Sequence, residues 1–140
     1  MRILVFGNAL VKEDSLPLRV LPQLKKVFPE IEFREFDTAE DLEKESGELI
    51  ILDTVKGIRK VEIFSDVDSF SESPRYSLHD FDLLFSLKLL KKMKLVKKVT
   101  IIGVPAKSEM KKTIEGVSNA IRMLQVSNQL LTPERTSHLR

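Results

Sequence analysis

With 140 residues, 42% of them hydrophobic and 31% charged, the chain is long enough for one domain with a substantial core and too short for two. The near balance of 23 basic against 21 acidic residues argues against a general nucleic-acid binder, and the absence of cysteine excludes disulfides, thiolate metal sites and cysteine nucleophiles. No apolar run approaches the roughly 18 residues that a membrane span needs, so a soluble, cytoplasmic protein that uses oxygen and nitrogen chemistry is expected.

In chain order, Ile3 to Phe6 reads as a buried first strand closed by Gly7-Asn8. From about Ser15, Leu18, Leu21, Leu24, Val27 and Phe28 recur at helical spacing. Pro17 suits the first turn of this helix, whereas Pro22 falls inside it and is expected to kink it or shift its start. Ile31 to Phe36 alternates with period two, as a half-exposed strand does, and Thr38 with Asp41 reads as the cap of a short helix to about Glu45.

Leu49-Ile50-Ile51-Leu52 is an unbroken branched run suited to a strand buried on both faces, and it stops on Asp53. Val61 to Phe64 follows closely enough to lie antiparallel to that strand, and a Ser/Asp/Pro-rich loop spans Ser65 to Ser77. Leu83, Leu84, Leu87, Leu90 and Met93 mark a helix, Val99 to Ile102 a buried strand stopped by Gly103, and Ile114, Val117, Ile121, Leu124 and Val126 a last helix. Strands alternating with helices predict a three-layer α/β/α sandwich with a mostly parallel five-stranded sheet, one strand antiparallel. The domain is expected over residues 1–126, with a polar, fraying tail over 127–140.

Three polar residues stand where strands hand over to loops or helices: Asp14, Asp53 and His79. Open α/β sheets keep their sites at the carboxyl ends of strands, so all three are candidates for one site. Two carboxylates and an imidazole suit a divalent transition metal, with coordination positions left for water or substrate. The structural alternatives are that Asp14 caps the first helix, Asp53 accepts loop amides, and His79 opens a helix with its ring in solvent.

The segments ILVFGNALVKEDSLPLRVLPQL, LIILDTV, SLHDFDLL and VTIIGVP, in this order, resemble the nickel-iron hydrogenase maturation proteases over roughly residues 1 to 124. Matched motif to motif, the family's metal-contacting residues fall on Asp14, Asp53 and His79, with Glu13 as the fallback for Asp14. The resemblance implies an endopeptidase that removes a C-terminal extension from the precursor of a hydrogenase large subunit after nickel insertion. It implies nickel carried by the substrate; no organic cofactor, no nucleic-acid or membrane partner, and a monomer are expected.

The chain departs from the family in two places. Glu35-Phe36-Asp37-Thr38-Ala39 stands where relatives commonly carry two glycines before a threonine, and Asp14 is shorter than the glutamate often found in the first loop. A phospho-accepting receiver domain also ends its third strand on an acidic acceptor. Its acidic pair, however, lies directly at the end of strand one, whereas Glu13-Asp14 comes six residues after Gly7. A non-catalytic scaffold with a decayed site is a third reading. Lys88, Lys91, Lys92, Lys94, Lys97 and Lys98 form a basic run, read either as a solvated helix end or as a docking patch for an acidic protein surface. Met93 and Met123 sit at core-like helical positions, Phe81 is expected to pack under the site, and His138 lies in the polar tail.

Overall fold

The structure is a computed structural model that describes residues 1–36, 42, 44, 45, 47–68, 70, 77, 78 and 81–130. The described strands are β1 (Arg2–Phe6), β2 (Glu32–Phe36), β3 (Gly47–Lys56), β4 (Glu62–Phe64), β5 (Ser77–Leu78) and β6 (Val96–Val104). The helices are α1 (Leu16–Val27), α2 (Phe81–Lys92) and α3 (Met110–Leu130), with a 3-10 turn at Lys12–Asp14.

The main sheet runs in the order β2-β1-β3-β6-β4. β1 pairs in parallel with β2 and β3, and β3 in parallel with β6. β4 lies antiparallel to β6, and the two-residue β5 adds a sixth strand, antiparallel to β3. The expected mostly parallel α/β sheet is therefore present. The partner of the antiparallel strand differs, because β6 occupies the edge of β3 that β4 was expected to take.

Period-two alternation divides the buried strands between two cores. Leu4 and Phe6 of β1, Leu49, Ile51 and Val55 of β3, and Val99 and Ile101 of β6 pack with Leu83, Leu87 and Leu90 of α2. Ile3, Val5, Leu52, Ile102 and Val104 face the opposite way, against Leu16, Val20, Leu21 and Leu24 of α1 and Val117 and Ile121 of α3. Each such side chain, fully buried, contributes about 1.5–3 kcal/mol, so the central strands are held from both faces. Phe6 and Phe36 stack at the β1–β2 seam with ring centroids 5.3 Å apart.

Several local expectations are corrected. α1 runs through the exposed Pro22 without restarting, with Pro17 in its first turn. β3 does not end at Asp53: Thr54 and Val55 are fully buried β-branched residues that carry the strand on to Lys56. Gly103 is an interior residue of β6 and not its stop. Met93 and Met123 are exposed, and α3 reaches Leu130, past the point at which fraying was expected. Lys97 and Lys98 belong to β6, so the basic run is divided between a helix end and a strand. Thr38, Asp41, most of the loop before β5, and His138 lie outside the described residues, as does the side chain of Phe81.

Among the described residues no helix is long and apolar enough to cross a membrane.

Candidate active site

The strand order sets the location. From β1 the chain crosses through α1 to β2 on one side, while the chain leaving β3 returns through α2 to β6 on the other. The two crossovers diverge between β1 and β3, so the carboxyl ends of these two strands form the switch point, the place at which open α/β sheets bind ligands.

Asp14 is held beside the carboxyl end of β1 because the loop after β1 folds back on itself. Asn8 is the pivot: its side-chain Oδ1 accepts the Leu10 N–H at 2.9 Å, and its carbonyl accepts the Val11 N–H at 3.1 Å. The Asn8 N–H then donates to the Asp14 carbonyl at 2.8 Å, closing the loop. Only glycine permits this closure at position 7, since a Cβ there would lie 2.9 Å from the Asp14 carbonyl oxygen and 3.3 Å from Leu18 Cγ. The 3-10 turn that carries Asp14 packs against β3.

Asp14 does not cap α1. Ser15 occupies the N-cap position, makes no side-chain cap bond, and donates its hydroxyl to the Lys12 carbonyl at 3.0 Å. The Asp14 residue is 7% exposed and Asp53 is 1% exposed. Burying carboxylates in an apolar core is costly, so both positions are candidates for a site. Glu13, the fallback, stands beside Asp14 in the same 3-10 turn and is exposed.

Pairing of β1 with β3 is recorded at Leu4↔Ile51 and Val5↔Leu52, so Asp53 lies just past the paired stretch, level with the end of β1. On its other side Asp53 is in register with Gly103, which is in turn in register with Glu62 of β4. Alternation places Asp53 and Glu62 on the α2 face, since Val55 and Phe64 pack in that core while Ile63 packs in the other. Glu62 is thus a second carboxylate in the row with Asp53, half-buried, and sequence reading did not single it out. Gly103 allows the close packing above the row: a Cβ there would lie 2.7 Å from Val55 Cγ2 and 2.9 Å from Phe64 Cε2. A glycine between β-branched residues in a buried strand was the available signal of such a close approach.

His79 lies outside the described residues. Its upstream neighbour Leu78 pairs with Val55 and Ser77 with Lys56, at the carboxyl end of β3. Among the described residues no group of three metal-ligating side chains is found.

A cavity of about 540 Å³ opens at the opposite end of the sheet, bounded by Arg2, Glu45, Glu48, Lys98 and Thr100. Its buried charge is Glu45, which pairs with Arg2 and, at 3.6 Å, with Arg34, so an ion-pair cluster explains it without any ligand. The strand-end rule and the buried aspartates both favour the other edge.

No protein-family pattern matches the chain, and no curated protein matches it. Two solved structures share its fold. One is a solution structure of an endopeptidase from Escherichia coli, with a TM-score of 0.57 and 24% identity over 92% of this chain and 93% of that one. The other is a crystal structure of the Hydrogenase 3 maturation protease, with a TM-score of 0.56 and 18% identity over 84% of this chain and 86% of that one. The chain therefore has the α/β fold of these two proteases over most of its length.

Proposed function

We propose that this protein is a hydrogenase maturation endopeptidase, acting in the cytoplasm. It would remove the C-terminal extension of a nickel-iron hydrogenase large-subunit precursor once nickel has been inserted. The observation that supports this most is the burial of Asp14 and Asp53 near the switch point of the sheet, in a fold shared with an endopeptidase and a hydrogenase maturation protease.

In this reading Asp14, Asp53 and His79 meet the nickel that the substrate brings. The two described members suit that role because they are oxygen donors, they leave the chain beside the same strand end, and no thiolate competes for the ion. His79 is assigned to the site because the chain reaches it from Leu78, which is bonded to β3 two residues beyond Asp53. Metal occupancy of the precursor then becomes a condition for productive docking.

The reaction is hydrolysis of one peptide bond. Water adds to the scissile carbonyl, its proton passes to a carboxylate of the site, the C–N bond breaks, and the departing amine takes a proton. Either aspartate has the chemistry of a general base, and the burial of both strengthens their interaction with a nearby cation. The test is to incubate the purified protein with nickel-replete precursor from cells lacking their own processing activity, and to follow the electrophoretic shift. Persistence of full-length precursor would overturn the assignment.

A further inference from the structure

The outward face of α2 is not that of an ordinary surface helix. Phe85, Leu89 and Met93 succeed one another four residues apart, on one face and just past its end, and are 68%, 45% and 57% exposed. Lys88 and Lys92 fall on the same face between them, and Lys94 follows at the helix end. A neighbouring lysine is already neutralised: Lys91 Nζ donates to Asp66 Oδ1 at 2.9 Å. The stripe therefore combines exposed apolar area with cations that face solvent.

Its position is as informative as its composition. β5 is bonded to the carboxyl end of β3, and α2 begins at Phe81, packs on β5 and returns toward the amino end of β6. The stripe thus begins one turn, about 6 Å, from the helix start beside the carboxyl end of β3, and runs on from there for about 12 Å at the rise of an α-helix. A second copy of this chain is a poor occupant, because a two-fold contact would bring the lysines of both stripes together with no carboxylate in either stripe to meet them.

We propose that the α2 stripe of Phe85, Leu89 and Met93, framed by Lys88 and Lys92, is the surface on which the folded body of the substrate protein docks through a patch with an apolar centre and an acidic rim. This rests on the endopeptidase reading and adds the part of the protein that selects the substrate. Lysines at the rim set the association rate and its salt dependence, and the apolar side chains supply the contact area.

The experiment measures two quantities on nickel-loaded large-subunit precursor: its Kd by titration and its cleavage rate. The variants are Phe85→Ser and Lys88→Glu/Lys92→Glu, with thermal melting as the folding control. The expected result is a Kd and KM raised about tenfold or more, with kcat within about twofold of wild type. Affinity should also fall with salt more steeply for wild type than for the charge-reversed variant. Unchanged Kd and KM in both folded variants would overturn the docking surface while leaving the endopeptidase reading intact. Binding that depends on the stripe without any cleavage would support the surface and contradict the endopeptidase reading. Self-association, or binding to anionic phospholipid vesicles, that the substitutions abolish while precursor binding persists would assign the face to another occupant and overturn the proposal.

Discussion

Replacing Gly7 by alanine tests how the loop after β1 delivers Asp14. The added Cβ would stand 2.9 Å from the Asp14 carbonyl oxygen, where ordinary contact begins near 3.4 Å, and Leu18 Cγ at 3.3 Å blocks the neighbouring direction. Relief requires the 3-10 turn to move outward by about half an ångström or more, which lengthens the 2.8 Å bond from the Asn8 N–H to that carbonyl. Overpacking of this kind costs about 1–3 kcal/mol, and weakening the loop-closing bond adds about 1 kcal/mol. For a domain of this size the melting temperature should fall by roughly 10 °C. The functional cost is separate: a carboxylate displaced by up to about 1 Å from its working position loses about two orders of magnitude in rate.

Gly47→Ala is the matched control. Gly47 has φ +79° with nothing within 4 Å of an added Cβ, and it lies at the opposite end of β3. Only the left-handed backbone is penalised there, by about 1–2 kcal/mol, so this variant should melt early and still cleave precursor at the wild-type rate below its melting temperature. Melting by scanning calorimetry and precursor cleavage at about 20 °C, below the melting range of ordinary domains, read the two effects. A Gly7→Ala protein that cleaves like wild type would refute the claim that this glycine positions a site residue.

Asp14→Ala, Asp53→Ala and His79→Ala are each expected to abolish cleavage, with loss of at least about two orders of magnitude in rate; full processing by any one of them would remove that residue from the site. The protein should purify with less than stoichiometric metal, because a thiolate-free site that meets nickel on its substrate holds free ions weakly; a full equivalent of tightly bound zinc in elemental analysis would favour an ordinary metallopeptidase. The Asp66–Lys91 pair should give little stability, on the order of 0–1 kcal/mol, since both side chains are largely solvated. Asp66 titrates below the usual aspartate range because the Asp68 N–H and then Lys91 donate to it, and Lys91 titrates above the usual lysine range because of Asp66. The first contribution is lost as pH falls through the lowered aspartate value, and the second as pH rises through the raised lysine value. Lys91→Ala should therefore differ from wild type by a small, constant amount between about pH 5 and 9, which melting curves across that range would check.

How far the sequence could be read depended on what each residue answers to. The run Leu49 to Leu52 signalled a strand buried on both faces, and it lies at the centre of the sheet, because burial is written in the apolar pattern itself. The end of that strand was less legible: Thr54 and Val55 continue it past Asp53 because they are buried β-branched residues, a property of the neighbours they meet. The partner of β4 was hidden for the same reason, since proximity in sequence favoured β3 while the return of α2 had already placed β6 there. Met93 and Met123 match a helical period yet face outward, as periodicity gives the spacing of a face but not which face the sheet covers. Asp14 and Asp53 were singled out by an expected position where strands hand over to loops; both are buried, but Asp53 lies inside β3 and Asp14 in the 3-10 turn after β1. Glu62 and the packing role of Gly103 depend on register across three strands, which no local pattern encodes.

The endopeptidase assignment stands or falls on intact-mass spectrometry of a hydrogenase large-subunit precursor, in nickel-loaded and nickel-free forms, before and after incubation with this protein. Loss of one C-terminal peptide from the nickel-loaded form alone is expected, with the released peptide and the shortened subunit summing to the precursor plus one water. An unchanged mass for the nickel-loaded precursor would contradict the endopeptidase assignment, and equal cleavage of both forms would contradict its dependence on nickel.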